Sequence, residues 1–393
     1  MGEEVEMKDL LNGVEDRRGF ICLIGRLGLA GGAIKILGRG VLPLGISTAF
    51  GSGGGFEAGV SYFGNRDPMH VRGDMEDIID HGCTFVVHTF SETDYHFYTK
   101  AMMDIVKISH DLGLTVYLDP WGVGGVFGGE AFSRFVMENP VETQRLADGT
   151  HLPAACLSRK SFRDFMKRWL DRASEIGADV VFWDEPHFYI PRSVWRNKQK
   201  PNEWACRCDI CSSLFKERFG REMPKVMDED VIAFRDGSIV SFFREMTEYG
   251  ARLRMKNGLV MLPEENYLTG VSSWDKLASI EEVDIFGTDP YWIIFRKDLD
   301  PYVRDAARRV MEISKKYGKE PQIWVQAYKV PAGREPEVGR AVEVIVEEGI
   351  GNVAAWSYRG GAPMNLRSDN PDLVWKVLGE AFMKARKGRG GSR

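Results

Sequence analysis

The segment Trp183-Asp184-Glu185-Pro186-His187 sets two carboxylates side by side at the end of the apolar run Val180-Val181-Phe182-Trp183. A carboxyl group in such a place can hand a proton to a leaving oxygen or orient a neighbouring reactive group. Glu185 is the candidate general acid, with Asp184 and Asp289 as the other candidate catalytic carboxylates. Similar residues recur after other apolar runs: Asn65 and Arg66, His88 and Glu92, Asp119 and Trp121, His187, Glu264 and Glu265, Asp289 with Tyr291 and Trp292, Gln326 with Tyr328, and Trp356 with Tyr358 and Arg359. A single acid after a strand is ordinarily a helix N-cap. A ring of acids and amides beside aromatics is different: the polar groups match hydroxyls, and aromatic faces match the C–H faces of sugar rings. The pattern predicts a carbohydrate site with His88, Asp119, Trp121, His187, Glu265, Tyr291, Trp292, Gln326, Tyr328 and Trp356 as substrate contacts.

Cys206-Arg207-Cys208-Asp209-Ile210-Cys211 places three thiols within six residues. Tetrahedral zinc needs a fourth ligand, and Cys156, some fifty residues earlier, is the best placed by sequence. Four thiolates leave no position for water, so such a zinc is structural; three reduced structural thiols are the simpler alternative. Cys83 opens an apolar run and reads as a small core residue, and Cys22 has no partner by spacing.

These groups need elements to hold them. Eight short apolar runs fall at Gly59–Phe63, Thr84–His88, Thr115–Asp119, Asp179–Asp184, Leu259–Leu262, Asp284–Thr288, Gln322–Gln326 and Asn352–Trp356. Amphipathic stretches separate most of them. Phe162, Phe165, Met166, Trp169, Leu170, Ala173 and Ile176 form a helical stripe. Asp300-Pro301 opens a second helix that stops near Gly318, and a third covers about 335–348 before Gly349. Strand–helix alternation implies a parallel sheet under helices, and eight repeats predict closure into a (β/α)₈ TIM barrel over 57–384. The insertion at about 186–228, between the fourth and fifth strands, carries the zinc-binding cysteines. A doubly wound sheet is the runner-up, but no Gly-rich phosphate turn follows the first strand, and Gly122-Val123-Gly124-Gly125 lacks the dinucleotide spacing. Residues 1–56 read as an irregular Gly-rich leader, and 385–393 as a disordered tail.

The acid segment 180–186 resembles the fourth strand of the clan of (β/α)₈ retaining glycoside hydrolases, whose acid/base Glu follows that strand. The resemblance covers roughly 57–380 and implies Glu185 as acid/base. That clan keeps a nucleophilic Glu at the end of strand seven, where this sequence has Gln326, an amide that cannot displace a leaving group. The Asp184-Glu185 pair is also similar to that of retaining hexosaminidases that use the substrate's own acetamido group; this implies that Asp184 orients the acetamido, that Asp289 and Tyr291 help hold it, and that Trp356 forms the floor of the sugar pocket. Inversion through a water activated by Asp289 or Asp119 is the third route. The cysteine pattern, with the Ser212–Gly220 segment after it, resembles the zinc cluster of family 42 β-galactosidases.

The chain has 393 residues and a formal charge of −5, with Lys and Arg scattered, which argues against a nucleic-acid partner. The stretch 20–34 is too short and too broken by Arg26 and glycines to span a membrane. No HxH or HExxH pattern points to a catalytic metal. The chain therefore reads as a cytoplasmic glycoside hydrolase with a structural zinc and an oligosaccharide or glycoside substrate; a homo-oligomer stays open. The alternatives are a sugar-binding barrel without turnover, prompted by Gln326, and another carboxylate-dependent hydrolase or lyase.

Overall fold

In the computed structural model, which describes residues 55–191, 200–267 and 270–390, eight parallel strands close on themselves. They are β1 (Glu57–Tyr62), β2 (Phe85–Thr89), β3 (Thr115–Asp119), β6 (Val180–Asp184), β7 (Lys256–Met261), β8 (Ile285–Thr288), β9 (Glu320–Gln326) and β10 (Asn352–Trp356), with β10 pairing back onto β1. Each expected run becomes one of them. Between β3 and β6 the chain adds an antiparallel hairpin that the pattern did not announce, β4 (Thr143–Arg145) with β5 (His151–Ala155).

The helices are α1 (Pro68–Asp80), α2 (Thr99–Asp111), α3 (Arg134–Glu138), α4 (Lys160–Ile176), α5 (Asp209–Phe219), α6 (Glu229–Arg252), α7 (Asp275–Ala278), α8 (Leu299–Tyr317), α9 (Pro336–Glu347) and α10 (Pro371–Gly390). All seven stripe residues of α4 are buried, and the helix ends on Gly177 in the left-handed region, which a residue without Cβ enters at no steric cost. The expected tail is corrected in part, since α10 runs as far as Gly390. The expected leader lies outside the described residues up to 54. Among the described residues, no helix is long and apolar enough to cross a membrane.

Side chains along each strand alternate between two cores, as the two-residue period requires. Phe85, Val87, Tyr117, Val180, Phe182, Val260, Ile285, Trp324, Ala354 and Trp356 fill the barrel interior. Val86, Val116, Val181, Trp183, Leu259, Phe286, Ile323, Val325 and Val353 pack outward under the helices. This parity decides which strand-end residue looks into the mouth of the barrel.

Candidate active site

Asp119, Asp184 and Gln326 each close a strand two residues after an interior side chain (Tyr117, Phe182 and Trp324), so all three take the inner face. Trp356 closes β10 within the interior cluster itself, and Asp289 follows β8. All five are buried. The C-terminal mouth is where (β/α)₈ barrels place their chemistry.

Glu185 comes next after Asp184, and a further extended residue would point its side chain outward. Instead Glu185 adopts φ 40°, a left-handed conformation rare for a residue with a side chain. The strand ends there, held by a hydrogen bond from Glu185 N to the Val260 carbonyl at 2.9 Å. The result is read at Gly128: a Cβ on that glycine would stand 2.1 Å from Asp184 Oδ2 and 3.3 Å from Glu185 Oε2. Both carboxylates thus face one point, and the glycine is what lets the loop after β3 lie against them. Gly128 N donates to the Asp184 carbonyl at 2.9 Å, and His187 N to the Val126 carbonyl at 3.0 Å. His187 is half-buried, with Nδ1 2.6 Å from the Glu185 carbonyl, an acceptor that requires a proton on Nδ1.

Aromatic rings line the mouth. Trp121 stacks on Phe63 (centroids 5.6 Å apart, 28° between planes), and Phe63 stacks on Trp356 (5.4 Å, 20°). Phe63 was missed by sequence reasoning, although it continues the inner parity of β1 one step past the strand. The buried indole nitrogen of Trp121 has no hydrogen-bond partner among the described residues. Tyr291 and Tyr328 meet edge to face at 5.6 Å.

Gln326 is inside the mouth, and its amide is engaged by backbone. Oε1 accepts from Ile293 N (3.1 Å) and Ile294 N (3.4 Å), and Nε2 donates to the Tyr328 carbonyl (2.9 Å). Both acceptor sites of the oxygen are filled, so Gln326 braces the loops that carry Tyr291 and Tyr328.

Three expected contacts are corrected. His88 has the outward parity of β2: its Nε2 lies 3.0 Å from Ser109 Oγ on α2, and burial lowers its pKa to about 3. Trp292 packs in the outer core and donates from Nε1 to Glu337 Oε2 on α9 at 2.6 Å. Glu265 accepts from Trp274 N at 2.6 Å and pairs with Arg309 on α8 at 3.2 Å. A strand-end position alone does not give the direction of the side chain.

Cys156 follows β5, Cys206 and Cys208 lie in the loop before α5, and Cys211 is in its first turn. All four are buried, and their sulfurs lie within 4.8 Å of one another. Cys156 Sγ stands 3.5 Å from Cys211 Sγ and 3.6 Å from Cys208 Sγ. Sulfurs 2.3 Å from a tetrahedral ion would be about 3.8 Å apart, so the set fits a metal ion of zinc's size. Hydrogen bonds from Cys156, Cys206 and Cys211 hold Cys208 far below the usual thiol range, Cys206 and Cys208 push Cys156 up, and Cys156, Cys206 and Cys208 push Cys211 up.

No family model matches the chain, and no curated protein matches it in sequence. Its fold is similar to that of solved structures. One is a β-galactosidase from the psychrophilic Marinomonas ef1 (TM-score 0.59, 10% identity over 84% of this chain); the match spans 59% of that protein's length. Another is an endo-1,4-β-mannanase from Rhizomucor miehei (TM-score 0.55, 9% identity, 84% of this chain and 95% of the other). A third is GH5_18 from Streptomyces cattleya in complex with GlcNAc (TM-score 0.54, 11% identity, 86% and 81%). At these identities the likeness is one of fold, the closed eight-stranded parallel barrel with intervening helices.

Proposed function

We propose that the chain is a glycoside hydrolase in which Glu185 protonates the leaving oxygen and Asp184 orients the group that displaces it. The observation that carries this reading is the convergence of Asp184 Oδ2 and Glu185 Oε2 beside Gly128. Two carboxyl groups aimed at one point, in a mouth lined by the Trp121, Phe63 and Trp356 rings, suit a sugar whose leaving group and neighbouring substituent are handled together. Engagement of the Gln326 amide by backbone supports a displacing group that the protein does not supply at strand β9. The substrate's 2-acetamido oxygen fits that requirement. It bonds to the anomeric carbon as the glycosidic bond breaks, and the leaving oxygen takes the Glu185 proton. Water, deprotonated by the Glu185 carboxylate, then opens the cyclic intermediate with overall retention. The structural neighbour solved with GlcNAc holds a sugar of this class.

In the same reading Cys156, Cys206, Cys208 and Cys211 hold one structural zinc. The ion would fasten the insertion after β6 to the hairpin segment ending at Cys156, with no open position for chemistry.

The test is turnover of paired glycosides with and without the 2-acetamido group, with NMR of the first-formed anomer. Hydrolysis restricted to acetamido sugars with retention supports the proposal. An inverted product points to a water activated by Asp119 or Asp289. A covalent sugar adduct on any protein carboxylate contradicts both.

A further inference from the structure

Glu92 is a buried carboxylate that the chemistry above does not use. It sits just past β2, and three donors converge on it from the segment after β3. Oε1 accepts from Gly124 N at 2.9 Å and from Ser133 Oγ at 2.6 Å, and Oε2 accepts from Phe135 N at 2.6 Å. That segment is the one whose Gly128 lies against Asp184 and Glu185.

We propose that Glu92 is a positioning residue for the Asp184–Glu185 pair, acting through the glycine loop 121–135; this rests on the proposed function. Val123, Val126 and Phe127 anchor the loop in the outer core, and the backbone around them is rich in glycine. Gly122, Gly124, Gly125 and Gly129 all take positive φ, and glycines lose more conformational freedom on ordering than any other residue. The loop also has almost no room on either side. A Cβ on Gly124 would meet Phe162 of α4 at 2.4 Å, and one on Gly128 would meet Asp184 at 2.1 Å. The loop is thus wedged between α4 at Gly124 and the acid pair at Gly128, with Glu92 bonded on the α4 side. Only a carboxylate presents acceptors on both branches. An amide in its place turns an N–H₂ toward a donor and loses at least one of the three bonds. The route to the acid segment is short: Gly128 N bonds the Asp184 carbonyl, and His187 N bonds the Val126 carbonyl.

The experiment compares full-length wild type with Glu92→Gln, and with the milder Ser133→Ala should the first fail to fold. Amide hydrogen exchange, kcat and KM are read in parallel. In the variants the Gly128 and His187 amides exchange faster, while peptides from α8 and α9 are unchanged. The catalytic rate constant falls by on the order of 10²-fold, the cost of misplacing a reacting group by about 1 Å. KM stays within a few-fold of wild type, because the aromatic walls that hold the sugar are untouched. A purely structural role would lower Tm and leave kcat in place, and this outcome overturns the proposal. So does exchange at Gly128 and His187 equal to wild type. Wild type inert on every glycoside, with both amides responding, refutes the hydrolase reading while the hold of Glu92 on the acid segment stands.

Discussion

The carboxylates of Asp184 and Glu185, neighbours in sequence, meet on one side of the chain against Gly128. A strand would send them to opposite faces; the positive φ of Glu185 brings them together. Non-glycine residues in this region carry roughly 1–3 kcal/mol of strain and persist where the surroundings enforce them, often at functional sites.

The glycine opposite the pair is therefore expected to resist substitution. In Gly128→Ala the new methyl begins 2.1 Å from Asp184 Oδ2, so the carboxylate or the loop must move. Overpacking of this kind costs about 1–3 kcal/mol, and displacement of the pair should lower kcat by at least on the order of 10²-fold. Urea unfolding and steady-state kinetics read the two effects. A fully active alanine variant would mean that the loop does not constrain the carboxylates.

The four cysteines are expected to bind one zinc per chain, detectable by native mass spectrometry and elemental analysis of protein purified without chelator. Removing it should lower Tm far more than kcat at moderate temperature, because four thiolates leave an ion no open position for substrate or water. Cys208→Ser should do the same. Metal-free protein of unchanged stability would leave the cluster as four reduced thiols.

His88 supplies a pH signature of the outer core. Its folded pKa, about 3, is below the ordinary value of 6.5, because burial disfavours the charged ring. The unfolded chain therefore binds a proton that the folded one does not. This contribution to stability is full above pH ~6.5 and declines as pH falls toward the folded pKa, at up to about 1.4 kcal/mol per pH unit. His88→Gln should show a flatter decline below pH ~6.5 in denaturant melts. Parallel stability–pH curves would place His88 in a solvated environment instead.

All eight barrel strands were legible because each is a compact apolar run between helical stripes. The start of β7 was not: Lys256, Asn257 and Gly258 lack the apolar signal, although the ladder runs through them. The β4–β5 hairpin was hidden by strands as short as Thr143–Arg145. Strand ends located Asp119, Asp184, Asp289 and Trp356, which the structure buries at the ends of β3, β6, β8 and β10. They misdirected His88, whose parity is one residue off the inward Val87, and Trp292, which turns back onto α9. Gln326 read as a vacant nucleophile position; the structure gives it a bracing role that depends on loop backbones no local pattern reveals. Phe63 and Gly128 matter through contacts with distant segments, and single-sequence reasoning has no signal for those.

The most direct test of the account is the rate of Glu185→Gln on an unactivated acetamido glycoside, set beside its rate on the matching nitrophenyl glycoside and its affinity for the sugar. General acid catalysis contributes about 10²–10⁴-fold, and a good leaving group needs less of it. The account predicts a fall of that order on the unactivated substrate, a smaller fall on the nitrophenyl one, and binding within a few-fold of wild type. A variant that hydrolyses the unactivated glycoside at near wild-type kcat would contradict the assignment of Glu185 as the acid.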